Sequence, residues 1–227
     1  MTVLLVAHGT RHLAGVRTVR ELADGVAARL GQPVAVAYAD VRGPTVAEAL
    51  SRLPGPVTLI PAFLASGYHV RVDIPAQVAA AGRADDVLVT PALGADPALL
   101  PALVDRLAEA GVREGDAVVL AAAGSSDAGA RAEAHAMARR LGRLLRAPVP
   151  VAWAATAEPA VAEEVARLRS AGARRVAVAA WLLAPGLFAD RLGAAGADVV
   201  AAPLGAHPSV TSTLTSRAHP CLAAAIG

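Results

Sequence analysis

The chain spells out nearly the same pattern twice. His8-Gly9-Thr10 closes an apolar run, Val3–Ala7, and 115 residues later Ala123-Gly124-Ser125 closes another, Ala117–Ala122. Pro44 and Pro159 stand at the same offset, each after a β-prone stretch, Val34–Ala39 and Val149–Ala154. Gly67 recurs as Gly186, 119 residues on, and Leu93-Gly94 as Leu204-Gly205, 111 residues on. Four landmarks in one order, drifting only as loop insertions would make them drift, mark a duplication. Each copy has the length of a small domain. A polar, glycine-rich joint at Gly111–Gly115 sets the expected boundary: one lobe over 1–113 and its repeat over 114–227.

Within each copy, strand and helix alternate. Arg17–Leu30 carries apolar residues at helical spacing after the first strand; Val34–Ala39, Val57–Ala62 and Asp86–Thr90 read as further strands. Helices are expected over Pro44–Leu53, Ile74–Ala81 and Pro97–Ala110. Continuously apolar strands separated by helices predict a parallel sheet covered on both faces. The expected fold is therefore α/β: two similar lobes, each a roughly four-stranded parallel sheet flanked by helices, with a cleft between the lobes. Ligands of such folds bind beyond the carboxyl ends of the strands.

Composition removes several classes. Hydrophobic residues make up 55% of the 227 and charged residues 18%, which is too apolar for disorder. A single cysteine, Cys221, excludes an internal disulfide and a cysteine-rich metal cluster. The longest apolar stretch, Val176–Ala189, contains Pro185 and Gly186 and is shorter than the ~20 residues of a membrane span. No basic stretch precedes the first apolar run, so a cytoplasmic protein without membrane association is expected. A net charge of +2 and 3% aromatics give no footing for nucleic acid. Every basic residue is arginine, the better fork for carboxylates.

What the copies do not share is more informative. Opposite His8 stands Ala123; opposite Asp40, Ala155; opposite His69, Phe188. The groups able to bind metal or move protons lie in the first copy, which suggests one active lobe and one supporting lobe. His8, Asp40 and His69 each fall at or just beyond the carboxyl end of an expected strand, so one sheet edge can gather them. Two imidazoles and a carboxylate without a thiol suit borderline divalent ions such as Co²⁺, Ni²⁺ or Fe²⁺. Gly9-Thr10 after a strand is also compatible with phosphate binding, although neither G-x-G-x-x-G nor a P-loop is present.

Ala7-His8-Gly9-Thr10-Arg11, together with Phe63-Leu64, Gly67-Tyr68-His69-Val70 and Asp73-Ile74-Pro75, resembles the sirohydrochlorin chelatases, class II tetrapyrrole chelatases that include cobaltochelatases and sirohydrochlorin ferrochelatases. The resemblance spans the chain, because two-lobed members also carry a degenerate second half. It implies that His8 and His69 bind the incoming metal and face the macrocycle. It also implies that Asp40 holds the place of the family's carboxylate after strand two, usually a glutamate, with a shorter side chain.

The implied reaction is insertion of a divalent metal (Co²⁺, Fe²⁺ or Ni²⁺) into sirohydrochlorin or a related tetrapyrrole, in sirohaem or cobalamin biosynthesis. The metal is a substrate, and no organic cofactor is expected. Such a substrate carries many carboxylates, so Arg11, Arg42 and Arg71, just after the three site elements, are expected to contact it. Thr10 is expected either at the substrate, capping the next helix, or orienting His8. His12 and His135 read as exposed and His207 as structural, while His219 and Cys221 have no assigned partner. A monomer is expected. Two alternatives stay open: a non-catalytic metal or tetrapyrrole carrier of the same fold, and a different α/β enzyme or phosphate-binding module.

Overall fold

The computed structural model describes residues 2–224, with side chains through 218. It contains two four-stranded parallel sheets. The first has order β2-β1-β3-β4, from β1 (Thr2–Ala7), β2 (Val34–Tyr38), β3 (Val57–Pro61) and β4 (Val87–Val89). The second repeats that order as β6-β5-β7-β8, from β5 (Ala117–Ala122), β6 (Val151–Trp153), β7 (Val176–Trp181) and β8 (Val199–Val200). The duplication inferred from four landmarks is thus a duplication of topology.

Val3, Leu4, Leu5 and Val6 are all fully buried, because helices cover both faces of their sheet. On one face Leu4, Val6, Leu59 and Ala37 pack against α2 (Val46–Leu50) and α3 (Ile74–Ala80) through Val46, Leu50, Ile74 and Val78. The opposite face is covered by α1 (Leu13–Leu30), whose Val16, Val19, Leu22 and Val26 are buried at helical spacing. α1 ends at Gly31 in a left-handed conformation. The second unit carries α4 (Leu100–Glu109), α5 (Ala128–Leu145), α6 (Val161–Ser170) and α7 (Leu187–Gly193).

The division of the chain differs from the expected 1–113 and 114–227. Residues 1–94 and 206–227 form one compact unit and 95–205 the other. The joint at Gly111–Gly115 is only the turn between α4 and β5 within the second unit. There Arg106 of α4 donates to the Leu204 carbonyl, at 3.3 Å from Nε and 3.1 Å from Nη2. The last helix, α8 (Pro208–Ala224), returns to pack on α1 and β3 of the first unit. A linear boundary cannot express such a return.

Two local expectations also change. Pro44 does not open a helix: it lies before α2 in a cis peptide with Gly43, and Thr45 caps α2 in a reciprocal box with Glu48. The helix expected over Ile74–Ala81 is preceded without a break by a π-helical turn, His69–Asp73, which His69 opens and which runs into α3. Pro75 in the first turn of α3 has no amide hydrogen to give Arg71, so a regular α-helix cannot continue backward through it. Among the described residues, no helix is long and apolar enough to cross a membrane.

Candidate metal site

The site grows from the register of β1. Ala7 pairs with Tyr38 and Val6 with Pro61. Beyond the strands the ladder runs one step further: Ala39 N donates to Ala7 O at 2.8 Å and Asp40 N to His8 O at 2.9 Å. His8 and the Asp40 backbone are therefore held side by side at the carboxyl edge of the sheet. Gly9 then turns with φ +101°, and a Cβ on it would lie 2.1 Å from the Asp40 carbonyl oxygen. Only glycine fits so close an approach. The second unit has the same device, with Gly124 at φ +105° against the Ala155 carbonyl.

The π-helical turn brings His69 to His8. Their ring centroids are 4.6 Å apart with planes at 82°, edge to face. Phe63 lies beside both, 6.4 Å from His8 and 6.2 Å from His69, and Tyr68 is 5.9 Å from His69. His69 Nδ1 is 2.9 Å from Asp73 Oδ2, one turn along. His8 Nδ1 is 3.3 Å from the Gly9 carbonyl oxygen. Both partners accept, so each Nδ1 carries the hydrogen and each Nε2 keeps its lone pair, the form that binds metal.

The electrostatics favour that form at His8. Loss of hydration, and then the neighbouring His69, pull its pKa below the ordinary histidine value; the Gly9 carbonyl and the Asp40 and Asp73 carboxylates oppose this without overcoming it. His8 remains an exposed residue, with the His69 ring edge to face against its own. Burial pushes the Asp73 carboxyl up, but hydrogen bonds from Gln77 and His69 together outweigh it and hold it below the usual carboxylate range.

The other expected site residues fare differently. Asp40 does not complete a three-ligand set: among the described residues no three His, Cys, Asp or Glu side chains gather around one metal position. Its Oδ1 instead accepts from the Val41 amide at 2.6 Å, the local bond that a short acidic side chain makes at a turn. The Thr10 hydroxyl accepts from His12 N at 3.1 Å, a local turn just before α1; His12 is the N-cap of that helix, which has no side-chain cap bond, so Thr10 does not cap it. The Arg42 guanidinium lies over the Tyr38 ring, 5.1 Å from its centroid, at the β2 edge of the sheet. Arg11 and Arg71 are exposed, three and two residues along the chain from His8 and His69. The side chains of His219 and Cys221 lie outside the described residues.

Two residues escaped assignment from sequence. Asp73 lies inside the motif that carries the resemblance, with no role assigned to it there, and Gln77 lies outside that motif. The four-residue steps from His69 to Asp73 and from Asp73 to Gln77 are the signal available in the sequence, because they stack three polar groups along one helical face. An exposed apolar rim also surrounds the site in sequence: Leu13 (82% exposed), Val41 (42%), Tyr68 (66%) and Val72 (49%).

Comparison with known proteins identifies the family. The CbiX family model matches the chain twice, over residues 2–110 and 117–220. The sirohydrochlorin cobaltochelatase of Methanothermobacter thermautotrophicus is 28% identical over 130 residues, covering 48% of this chain and 91% of that protein. Among solved structures, SirB from Bacillus subtilis with Fe³⁺ is 21% identical with a TM-score of 0.80, covering 100% of this chain and 98% of that one. CbiX, described as the terminal enzyme of siroheme biosynthesis in denitrifying bacteria, is 22% identical with a TM-score of 0.71, covering 97% of this chain and 99% of that one. With both halves of the sequence matched by the same family model, the chain belongs to the CbiX family.

Proposed function

We propose that this protein is a sirohydrochlorin chelatase that inserts a divalent metal, cobalt or iron, into the macrocycle, acting as a monomer. The observation that carries the reading is the His8–His69 pair: two imidazoles 4.6 Å apart, each with its Nδ1 on an acceptor and its Nε2 left for metal. The chemistry asks for such a pair. Insertion exchanges two pyrrole N–H protons for one M²⁺, so the site must hold a metal, surrender it, and take up protons. Two neutral imidazoles do all three, because each imidazole that releases the metal becomes a base for a departing proton. A closed four-ligand site would retain the ion, as structural zinc sites do. The open pair therefore favours insertion over a carrier role.

The surroundings support a large, flat, polycarboxylate substrate. Tyr68, Val72, Leu13 and Val41 offer apolar surface to a macrocycle face. Arg11 and Arg71 supply forks for peripheral carboxylates. The name of the methanogen relative, a sirohydrochlorin cobaltochelatase, supports the same substrate. In the second unit Ala123 and Phe188 stand at the positions of the two histidines, and Phe188 packs on the core, which supports a scaffolding role for that unit.

The test is turnover of sirohydrochlorin with Co²⁺, or with Fe²⁺ under anaerobic conditions, followed by the absorbance change against a protein-free control. His8→Ala and His69→Ala are expected to lower the rate by orders of magnitude with unchanged circular dichroism. Wild-type turnover by His8→Ala would refute the site. Stoichiometric uptake of metal without turnover would show a carrier.

A further inference from the structure

Gln77, on α3, is engaged at both ends of its amide. Its Nε2 donates to the Ala39 carbonyl at 3.0 Å and to Asp73 Oδ1 at 3.0 Å, and its Oε1 accepts from Val46 N at 2.9 Å. A backbone amide can only donate and a carbonyl can only accept. Those two partners therefore fix which way the Gln77 amide faces, and its second N–H must point to Asp73.

The second unit supplies an internal control. Ala154 corresponds to Ala39 at the 115-residue offset, and its carbonyl has the same need of a donor. There Arg191 Nη1 provides it, at 3.2 Å. At the offset of 119 that relates Gly67 to Gly186, the residues His69, Asp73 and Gln77 become Phe188, Leu192 and Gly196. Satisfying the strand-end carbonyl thus requires neither a carboxylate nor an imidazole. What the first unit adds is the connection from Gln77 through Asp73 to His69.

We propose that Gln77 is a positioning residue: by claiming Oδ1 of Asp73 it turns Oδ2 onto His69 Nδ1 and keeps His69 in the tautomer whose Nε2 takes the metal. The role in the reaction rests on the chelatase reading above; the control of the tautomer does not. With Oδ1 of Asp73 accepting from Gln77 at 3.0 Å and Oδ2 at 2.9 Å from His69 Nδ1, the carboxylate acts as an acceptor at both oxygens and so requires the hydrogen on Nδ1. Partners that orient metal-binding imidazoles in this way typically change affinity or activity ~10–100-fold when removed.

Asp73→Asn tests the idea at constant shape. With Gln77 still donating to its oxygen, the new amide must present its NH₂ to His69 Nδ1, which can then only accept. Imidazole ¹⁵N–¹H correlation spectra of the metal-free full-length protein, recorded above the pH of histidine protonation, should show Nδ1–H at His69 in the wild type and Nε2–H in Asp73→Asn. Adding Gln77→Met releases the asparagine to rotate, and Nδ1–H should return. Insertion should fall ~10–100-fold in Asp73→Asn, in kcat rather than in KM for the tetrapyrrole, and recover in part in the double variant. Nε2–H in the wild type, an unchanged tautomer in Asp73→Asn, or an inverted one in the double variant would overturn the proposal. Full insertion by an inverted Asp73→Asn would do the same. If the double variant fails to fold, the isosteric single variant still decides. Inactivity of the wild type itself would remove the chelatase reading and leave the tautomer result standing.

Discussion

The duplicated glycine turns allow one perturbation to be made twice, once beside the histidines and once where none stands. In Gly9→Ala the new methyl would lie 2.1 Å from the Asp40 carbonyl oxygen, and in Gly124→Ala it would lie 1.8 Å from that of Ala155. Relief to a van der Waals separation of ~3.5 Å requires each turn to shift by more than ~1 Å. An alanine held at φ near +100° adds strain of about 1–3 kcal/mol. Each variant should therefore lose roughly 2–4 kcal/mol, a fall of order 10 °C in Tm for a chain of this length. The functional costs should separate. A ~1 Å displacement at a reacting centre is worth about 100-fold in rate, and Gly9 directly follows His8 while Gly124 follows Ala123. Below their melting range, Gly9→Ala should insert metal ~100-fold more slowly and Gly124→Ala within about threefold of wild type. Thermal melts followed by circular dichroism, with initial insertion rates at saturating metal, measure both. Near-wild-type turnover by Gly9→Ala, or equal inactivation by Gly124→Ala, would refute the assignment of the chemistry to the first unit.

Other outcomes follow from the same geometry. Because His8 titrates below the ordinary ~6.5, its neutral form persists to lower pH. The acid limb of insertion should accordingly have its His8 component below that value, with activity lost as pH falls through it. A rate flat between about pH 5 and 8, after subtraction of the protein-free control, would argue against imidazole control. Arg11→Ala and Arg71→Ala should raise KM more than they lower kcat, because contacts to peripheral carboxylates act on ground and transition states alike. Arg42→Ala should change KM less than either, its guanidinium being stacked on Tyr38; steady-state kinetics of the three single variants check the ranking.

Much of this architecture was legible in the residues. Val3–Ala7 and Ala117–Ala122 announced the central strands because a parallel strand covered on both faces has no polar alternation to obscure it. His8 and His69 stood out because the second copy lacks them. Other features depended on three-dimensional facts with no local signature. The π-helical turn at His69–Asp73 is a choice between two hydrogen-bond registers that side-chain pattern barely distinguishes. Gln77 acquires its role only when β2, α2 and Asp73 converge on it. Asp40 was a sound candidate by position, yet a carboxylate can bond the next amide as readily as a metal, and sequence does not rank the two. Arg42 lies next to the site in the chain and over Tyr38 in space, since a side chain of that length can fold back onto its own strand.

The return of α8 to the first unit inverts the order in which the protein can be finished during translation. Residues 95–205 are contiguous, so that unit can close as soon as its own chain has left the ribosome. The unit bearing His8 and His69 is begun first but lacks the helix that packs on α1 and β3 until residues 208–224 emerge. Gly25 of α1 marks how tightly that late arrival seats: a Cβ there would meet a Thr211 methyl carbon at 2.8 Å. Until then the α1 surface that awaits α8 lies open in the nascent chain, and the half that bears the two histidines depends on its most delayed segment for completion.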